Sequence, residues 1–181
     1  KITDNGKGFA SDDVELAFER HATSKIRKEE DLHSIKSMGF RGEALASIAS
    51  ISKVSLVSKN INESVGVKVR VEAGNILQIE NCAASQGTII EIRDVFYNVP
   101  ARFKFLKKDF TESGYIEDSI TRLALANPNI AFKLINTGKT VIQTSGDGNM
   151  KNVVYSIFGK DVAEAILEVN YKYEDIIVSG V

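Results

Sequence analysis

From residue 53 onward the chain runs in period two. Val65, Val67, Val69 and Val71 alternate with Gly66, Lys68, Arg70 and Glu72, which makes one side of an extended segment apolar and leaves the other wet. Ala73-Gly74-Asn75 turns the chain, and Ile76, Leu77 and Ile79 supply a returning strand. Residues 88–93 read as another strand, and residues 130–136 and 139–144 as a hairpin about Thr137-Gly138. Hairpins outnumber crossover units, so the expectation is an α+β fold. Its sheet is mixed and mostly antiparallel, with helices on one face.

The helices are shorter signals. Asp12 and Glu15 stand at capping-box spacing ahead of Val14, Leu16, Ala17 and Phe18, which predicts a helix near 12–20. Ala44, Leu45, Ile48, Ala49 and Ile51 give a short apolar helix. Ile116, Ile120, Leu123 and Ala124 recur on one helical face that stops at Asn127-Pro128. Residues 149–167 read as helical with a break at Gly159, and 175–181 as a final strand. Residues 20–42 carry charge, serine and glycine with little periodicity. A loop of that length in a compact domain is usually functional.

Composition closes off several classes. Hydrophobic residues at 43% and charged residues at 26% are ordinary for a globular domain. No apolar run approaches the roughly 18 residues of a membrane-spanning helix, so no membrane partner is expected. Cys82 is the only cysteine, which excludes an intramolecular disulfide and fits a reducing, intracellular compartment. His21, His33 and Cys82 lack metal-ligand spacing, so no metal site is expected. A net charge of -1 argues against a strongly basic surface, though not against a local basic patch. The chain opens at Lys1, without Met and inside strand-like Lys1-Ile2-Thr3, from which a fragment or truncated product is expected.

Three segments carry chemistry. Asp4-Asn5-Gly6-Lys7-Gly8 is common turn composition. It is also a place where paired glycines let backbone approach a ligand while an acidic residue accepts a hydrogen bond from an amine. The sequence around Arg20, His21, Thr23, Ser24 and Lys25 suits phosphate oxygens, and equally a solvated helix end. Gly39-Phe40-Arg41-Gly42-Glu43-Ala44-Leu45 runs into the apolar helix, where free amides and the helix dipole favour an anion; Glu43 reads as a stabilising first-turn carboxylate. Gly138-Lys139-Thr140 is no phosphate loop, because the required glycine at 133 is Lys133. Arg102, Lys104, Lys107 and Lys108 alternate with Phe103, Phe105 and Leu106. Such a run can track nucleic-acid phosphates, but the favoured reading packs its apolar residues inward and leaves its cations solvated.

In this order, Asp4-Asn5-Gly6-Lys7-Gly8, Arg20-His21-Ala22-Thr23-Ser24-Lys25-Ile26 and Gly39-Phe40-Arg41-Gly42-Glu43-Ala44-Leu45-Ala46-Ser47-Ile48 closely resemble the MutL family of DNA mismatch repair proteins, within the GHKL ATPases. Gly87-Thr88 and the stretch from Asp94 to Leu106 look like the next two blocks of that family. The resemblance covers nearly the whole chain. It implies the Bergerat α/β sandwich, with residues 1–175 as an ATPase domain lacking its N-terminal helix and 176–181 as the start of a following transducer domain.

By the same resemblance Asp4 would bind the adenine amine, with Thr88 in support, and Gly6 and Gly8 would let the chain wrap the nucleotide. Thr23, Ser24 and Lys25 would belong to a lid over the phosphates. Arg41, Gly42, Glu43, Ala44 and Leu45 would present amides to them. The cofactor implied for the intact parent is ATP with Mg2+. The family's catalytic glutamate and magnesium-binding asparagine lie upstream of the Asp-Asn-Gly motif, so no catalytic or metal residue is assigned within this chain, and no appreciable hydrolysis is expected of it. The partners implied are a second copy or a MutL-family heterodimer partner, a mismatch-recognition protein and DNA; the location is the cytoplasm in a bacterium and the nucleus in a eukaryote. Two rivals stand beside this reading: another GHKL ATPase such as a topoisomerase subunit, and a nucleic-acid-binding or scaffold module without nucleotide chemistry.

Overall fold

The computed structural model describes residues 1–20, 22, 39 and 41–181. They form two compact units, Lys1–Phe105 and Leu106–Val181.

The first unit is built on one sheet. Strand β1 (Ile2–Asp4) opens the chain, and helix α1 (Ala44–Ala49) precedes β2 (Lys53–Lys59), β3 (Gly66–Glu72), β4 (Asn75–Cys82) and β5 (Gly87–Arg93). The five strands lie in the order β1-β5-β2-β3-β4, and every neighbouring pair is antiparallel. The alternation in sequence decides which face is covered. Val54 and Leu56 of β2 and Val67, Val69 and Val71 of β3 are buried with Val14 and Ala49. Phe9, Phe18, Leu45 and Ile48 pack against that cluster. Helix and loop thus cover one face of the β2–β3 half, as the period-two pattern requires. Val65 lies one residue before β3 and is 47% exposed, so it does not continue the buried row. Ala73 and Gly74, both at positive φ, make the tight turn between β3 and β4.

The helix expected near 12–20 is not formed. A single 3-10 turn, Leu16–Phe18, stands there. The bonds from Phe18 N–H to the Glu15 carbonyl and from Glu19 N–H to the Leu16 carbonyl are three residues long. Ser11 is held across the unit by Glu63, through its N–H at 3.1 Å and its hydroxyl at 2.9 Å. That tie and the burial of Val14 (0% exposed) draw the segment onto the sheet as a string of turns, and tertiary contact outweighs the local helical signal. After β5, residues 94–98 fold back: Phe96 N–H donates to the Ile51 carbonyl at 2.6 Å and Asn98 Nδ2 to the Ser50 carbonyl at 2.9 Å. Helix α2 (Pro100–Phe103) is one turn long.

The second unit holds α3 (Asp109–Ala126), the hairpin β6 (Lys133–Asn136) and β7 (Lys139–Gln143), α4 (Met150–Phe158), α5 (Lys160–Ala165), and the hairpin β8 (Val169–Tyr173) and β9 (Ile176–Gly180). Ala124, Ile142, Val153, Val154 and Ala163 are its buried apolar residues. Thr137 and Gly138, at positive φ, turn β6 into β7 as expected. Gly159 divides α4 from α5. The sequence reading carried helix to 167 and did not foresee β8. All ten residues of the β8–β9 strands are exposed, Tyr171 and Ile177 among them.

Candidate functional site

The strand register assembles a polar row on the covered face of the first sheet. Asp4 of β1 stands opposite Thr88 of β5, and Thr88 stands opposite Ser58 of β2. Directly opposed residues share a face with neighbouring side chains. Exposure falls along the row, from an exposed Asp4 to Thr88 at 6% and Ser58 at 0%.

The glycine turn after β1 is clasped by this row. Asp4 Oδ1 accepts the Gly6 N–H at 2.8 Å, an Asx turn. Phe9 N–H donates to Ser58 Oγ at 2.9 Å, Ile61 N–H to the Lys7 carbonyl at 3.0 Å, and Gln86 Nε2 to the Gly6 carbonyl at 3.2 Å. Gly8 has φ +72°, and a Cβ there would collide with the Lys59 carbonyl. Gly87 has φ +110°, and its Cβ would collide with the Asp4 carbonyl. Glycine is required at both positions because backbone fills the space of a side chain. The structure therefore brings Asp4, Gly6, Gly8 and Thr88 together. Their partner Ser58 was missed, although a serine at the buried phase of Val54-Leu56-Ser58 is a signal in the sequence itself.

The second segment begins with Gly42 at φ +65°, where a Cβ would collide with the Ala22 carbonyl. Helix α1 begins at Ala44, and Ser47 N–H donates to the Glu43 carbonyl at 2.9 Å. Glu43 is thus the N-cap residue, one position earlier than the first-turn place expected for it, and its side chain makes no cap bond. The amides of Ala44 and Leu45 lie in the first turn, where the helix supplies no acceptor. Leu45 and Phe9 pack on the same buried cluster, so this segment and the glycine turn share one core. Arg41 is exposed and precedes them. Thr23, Ser24 and Lys25 lie outside the described residues.

The basic run crosses the division between the two units. Arg102 and Lys104 belong to the first unit, Lys107 and Lys108 to the second. The inward packing expected of its apolar residues is not found: Phe103 is 58%, Phe105 80% and Leu106 42% exposed. A helix of one turn such as α2 presents no apolar stripe long enough to bury them.

Two charged pairs lie away from the row. Lys53 bonds Asp94 at 2.9 Å, which holds its ammonium above the usual lysine range, and lies 5.1 Å over the Tyr97 ring. The Arg93 guanidinium holds Glu91 below the usual carboxylate range. Both pairs are exposed and stabilise little. Among the described residues, no group of three or more His, Cys, Asp or Glu could hold a metal ion, and no helix is long and apolar enough to cross a membrane.

No family model matches the chain. It is 51% identical over 167 residues to the DNA mismatch repair protein MutL of Clostridium botulinum, across 92% of this chain and 25% of that protein. It is 49% identical over 180 residues to MutL of Caldanaerobacter subterraneus, across 99% of this chain and 30% of that one. The chain belongs to the MutL family. It spans about a quarter to a third of the length of these curated relatives.

Among solved structures it matches the Aquifex aeolicus MutL ATPase domain complexed with ADP, with a TM-score of 0.70 and 31% identity over 93% of this chain and 58% of that one. A second structure, of the ATPase domain of the Aquifex aeolicus mismatch repair endonuclease MutL, matches with a TM-score of 0.70 at 30% identity. The α+β arrangement of an antiparallel sheet with helices is therefore the GHKL fold of MutL ATPase domains.

Proposed function

We propose that the chain forms the adenine-binding part of the ATPase domain of a MutL-type mismatch repair protein. The observation that carries this reading is the row Asp4–Thr88–Ser58 beneath a glycine turn that backbone contacts hold in place. An exposed carboxylate beside a hydroxyl offers acceptors to an exocyclic amine. The turn has room for no side chain where it meets β2, so its backbone is held rigidly at the rim.

In this reading Gly6 and Gly8 border the nucleotide, Thr88 supports Asp4, and the amides of Arg41, Gly42, Glu43, Ala44 and Leu45 face the phosphates. Thr23, Ser24 and Lys25 belong to the lid. Residues 1–175 are the ATPase domain and 176–181 open the next one. The chain's own residues bind and orient ATP. Among the described residues of this chain none is assigned to hold Mg2+; hydrolysis is proposed of the whole protein, where Mg2+, when bound, would supply neutralisation of the phosphate charge. There ATP would bias dimerisation with a second copy or a family partner and signal to a mismatch-recognition protein on DNA inside the cell.

Calorimetric titration with a non-hydrolysable ATP analogue, with and without magnesium, tests the reading. Binding by the wild type that Asp4→Ala abolishes supports it; binding that survives Asp4→Ala contradicts it.

One observation favours a second reading. Phe103 and Phe105 are exposed beside Arg102 and Lys104, and aromatic faces among cations bind single-stranded nucleic acid by stacking and charge. Salt-dependent DNA binding without nucleotide, lost on neutralising Arg102, Lys104, Lys107 and Lys108, would support it. DNA affinity unchanged by those substitutions would remove it.

A further inference from the structure

Hydroxyl groups carry one proton and two lone pairs, and the buried end of the row uses all three at Ser58. Its Oγ lies 3.0 Å from the Gly87 carbonyl, 2.9 Å from the Phe9 N–H and 3.0 Å from Thr88 Oγ1. A carbonyl only accepts, so the Ser58 proton goes to Gly87. An N–H only donates, so Phe9 takes one lone pair. The contact with Thr88 is then satisfied in one way: the Thr88 hydroxyl donates into the remaining lone pair.

We infer that Ser58 is a positioning residue that fixes the polarity of the site, turning the Thr88 proton inward so that Thr88 presents only lone pairs beside Asp4. The proposal rests on the reading of the Asp4 row as an adenine site. Its consequence is specificity. The Asp4 carboxylate is an acceptor, with Oδ1 already holding the Gly6 N–H, and Thr88 adds acceptors next to it. Two acceptors side by side fit a group that supplies hydrogens, such as the amine of a 6-aminopurine. With both acceptors facing the 6-position, a 6-oxopurine sets its carbonyl against lone pairs while its N1 proton lies at the neighbouring ring position, and a site built around hydrogen bonding rejects such a mismatch strongly.

Ser58 has 0% exposure and touches no ligand in this arrangement, so its effect passes entirely through Thr88. Removing its hydroxyl frees the Thr88 proton to rotate outward and donate. Ser58→Ala therefore changes which purine is preferred as well as how tightly nucleotide is held. A purely structural serine would weaken both purines alike.

The test is a calorimetric comparison of ADP with inosine diphosphate, which replaces the amine by a carbonyl, on the full-length protein. Wild type is expected to prefer ADP. Ser58→Ala is expected to narrow the preference by about 3- to 10-fold, the equivalent of one neutral hydrogen bond. Ser58→Thr, which keeps the hydroxyl, is expected to restore it. Ser58→Ala leaves the buried Phe9 N–H and Gly87 carbonyl without their partner, and should it not fold, Ser58→Cys, whose thiol is a weak donor and weak acceptor in the same place, serves instead. A narrowing in the same direction is expected of it. ADP binding with an unchanged purine ratio in the variant that folds would overturn the role of Ser58 alone. No ADP binding by the wild type would overturn this proposal together with the adenine-site reading.

Discussion

Gly8→Ala separates a glycine kept for its dihedral angles from one kept for lack of space. Gly8 and Gly74 lie in the same unit with φ of +72° and +83°. Placing alanine at either costs roughly 1–2 kcal/mol for the left-handed backbone. At Gly74 that is nearly the whole cost, because the added Cβ meets Ser50 Cα at an ordinary 3.6 Å. At Gly8 the Cβ would collide with the Lys59 carbonyl, which β2 holds in place, so the turn has to lift away. Lifting breaks the bonds from Phe9 N–H to Ser58 Oγ at 2.9 Å and from Ile61 N–H to the Lys7 carbonyl at 3.0 Å. At about 0.5–1.5 kcal/mol each, the total for Gly8→Ala reaches roughly 2–5 kcal/mol. Urea unfolding of the two variants, compared by midpoint at constant slope, checks this. A Gly8→Ala variant no less stable than Gly74→Ala would refute the claim that the turn is locked onto β2.

Two further perturbations test the packing and electrostatics. Leu56 is the largest fully buried side chain of the sheet core, and Leu56→Ala is expected to cost about 2–5 kcal/mol in urea unfolding; a loss under 1 kcal/mol would mean the β2–β3 face is not the core. Asp147 accepts the Asn149 N–H at 2.9 Å and the Asn152 Nδ2 at 2.7 Å, and these bonds hold its carboxyl below the usual range. A lowered folded-state value means the stabilisation is present above the ordinary aspartate range, near pH 4, and is lost as pH falls through the lowered value. The stability gap between wild type and Asp147→Ala should therefore close on acidification, and a gap constant from neutral to acid pH would contradict that.

How much of this was legible in the sequence depends on whether a feature is local. The alternation of residues 67–72 and the Ala73-Gly74 turn encode β3 and its partner directly. That Asp4, Gly6, Gly8 and Thr88 stand together was legible in the glycine turn and in the motif order behind the family resemblance; their role as a nucleotide site is a proposal. Ser58 was harder to see, since its role comes from register across three strands, although a serine at a buried phase was visible. The 12–20 segment misled because its capping spacing is local, whereas the bond from Ser11 to Glu63 spans 52 residues. Phe103 and Phe105 misled for a related reason. Their pattern alternates with cations as a packed element's would, but Pro100–Phe103 closes after one turn and leaves no stripe to bury. The division at Phe105 falls within that run, in charged and aromatic residues carrying no glycine or proline signal of a linker.

The central claim is that nucleotide sits on the Asp4–Thr88 row. Amide chemical shifts followed during titration with ADP test it most directly. The account predicts shifts concentrated at Gly6, Gly8 and Thr88, with the same amides silent in Asp4→Asn. Shifts concentrated instead at residues 102–108, with the glycine turn unmoved, would contradict it.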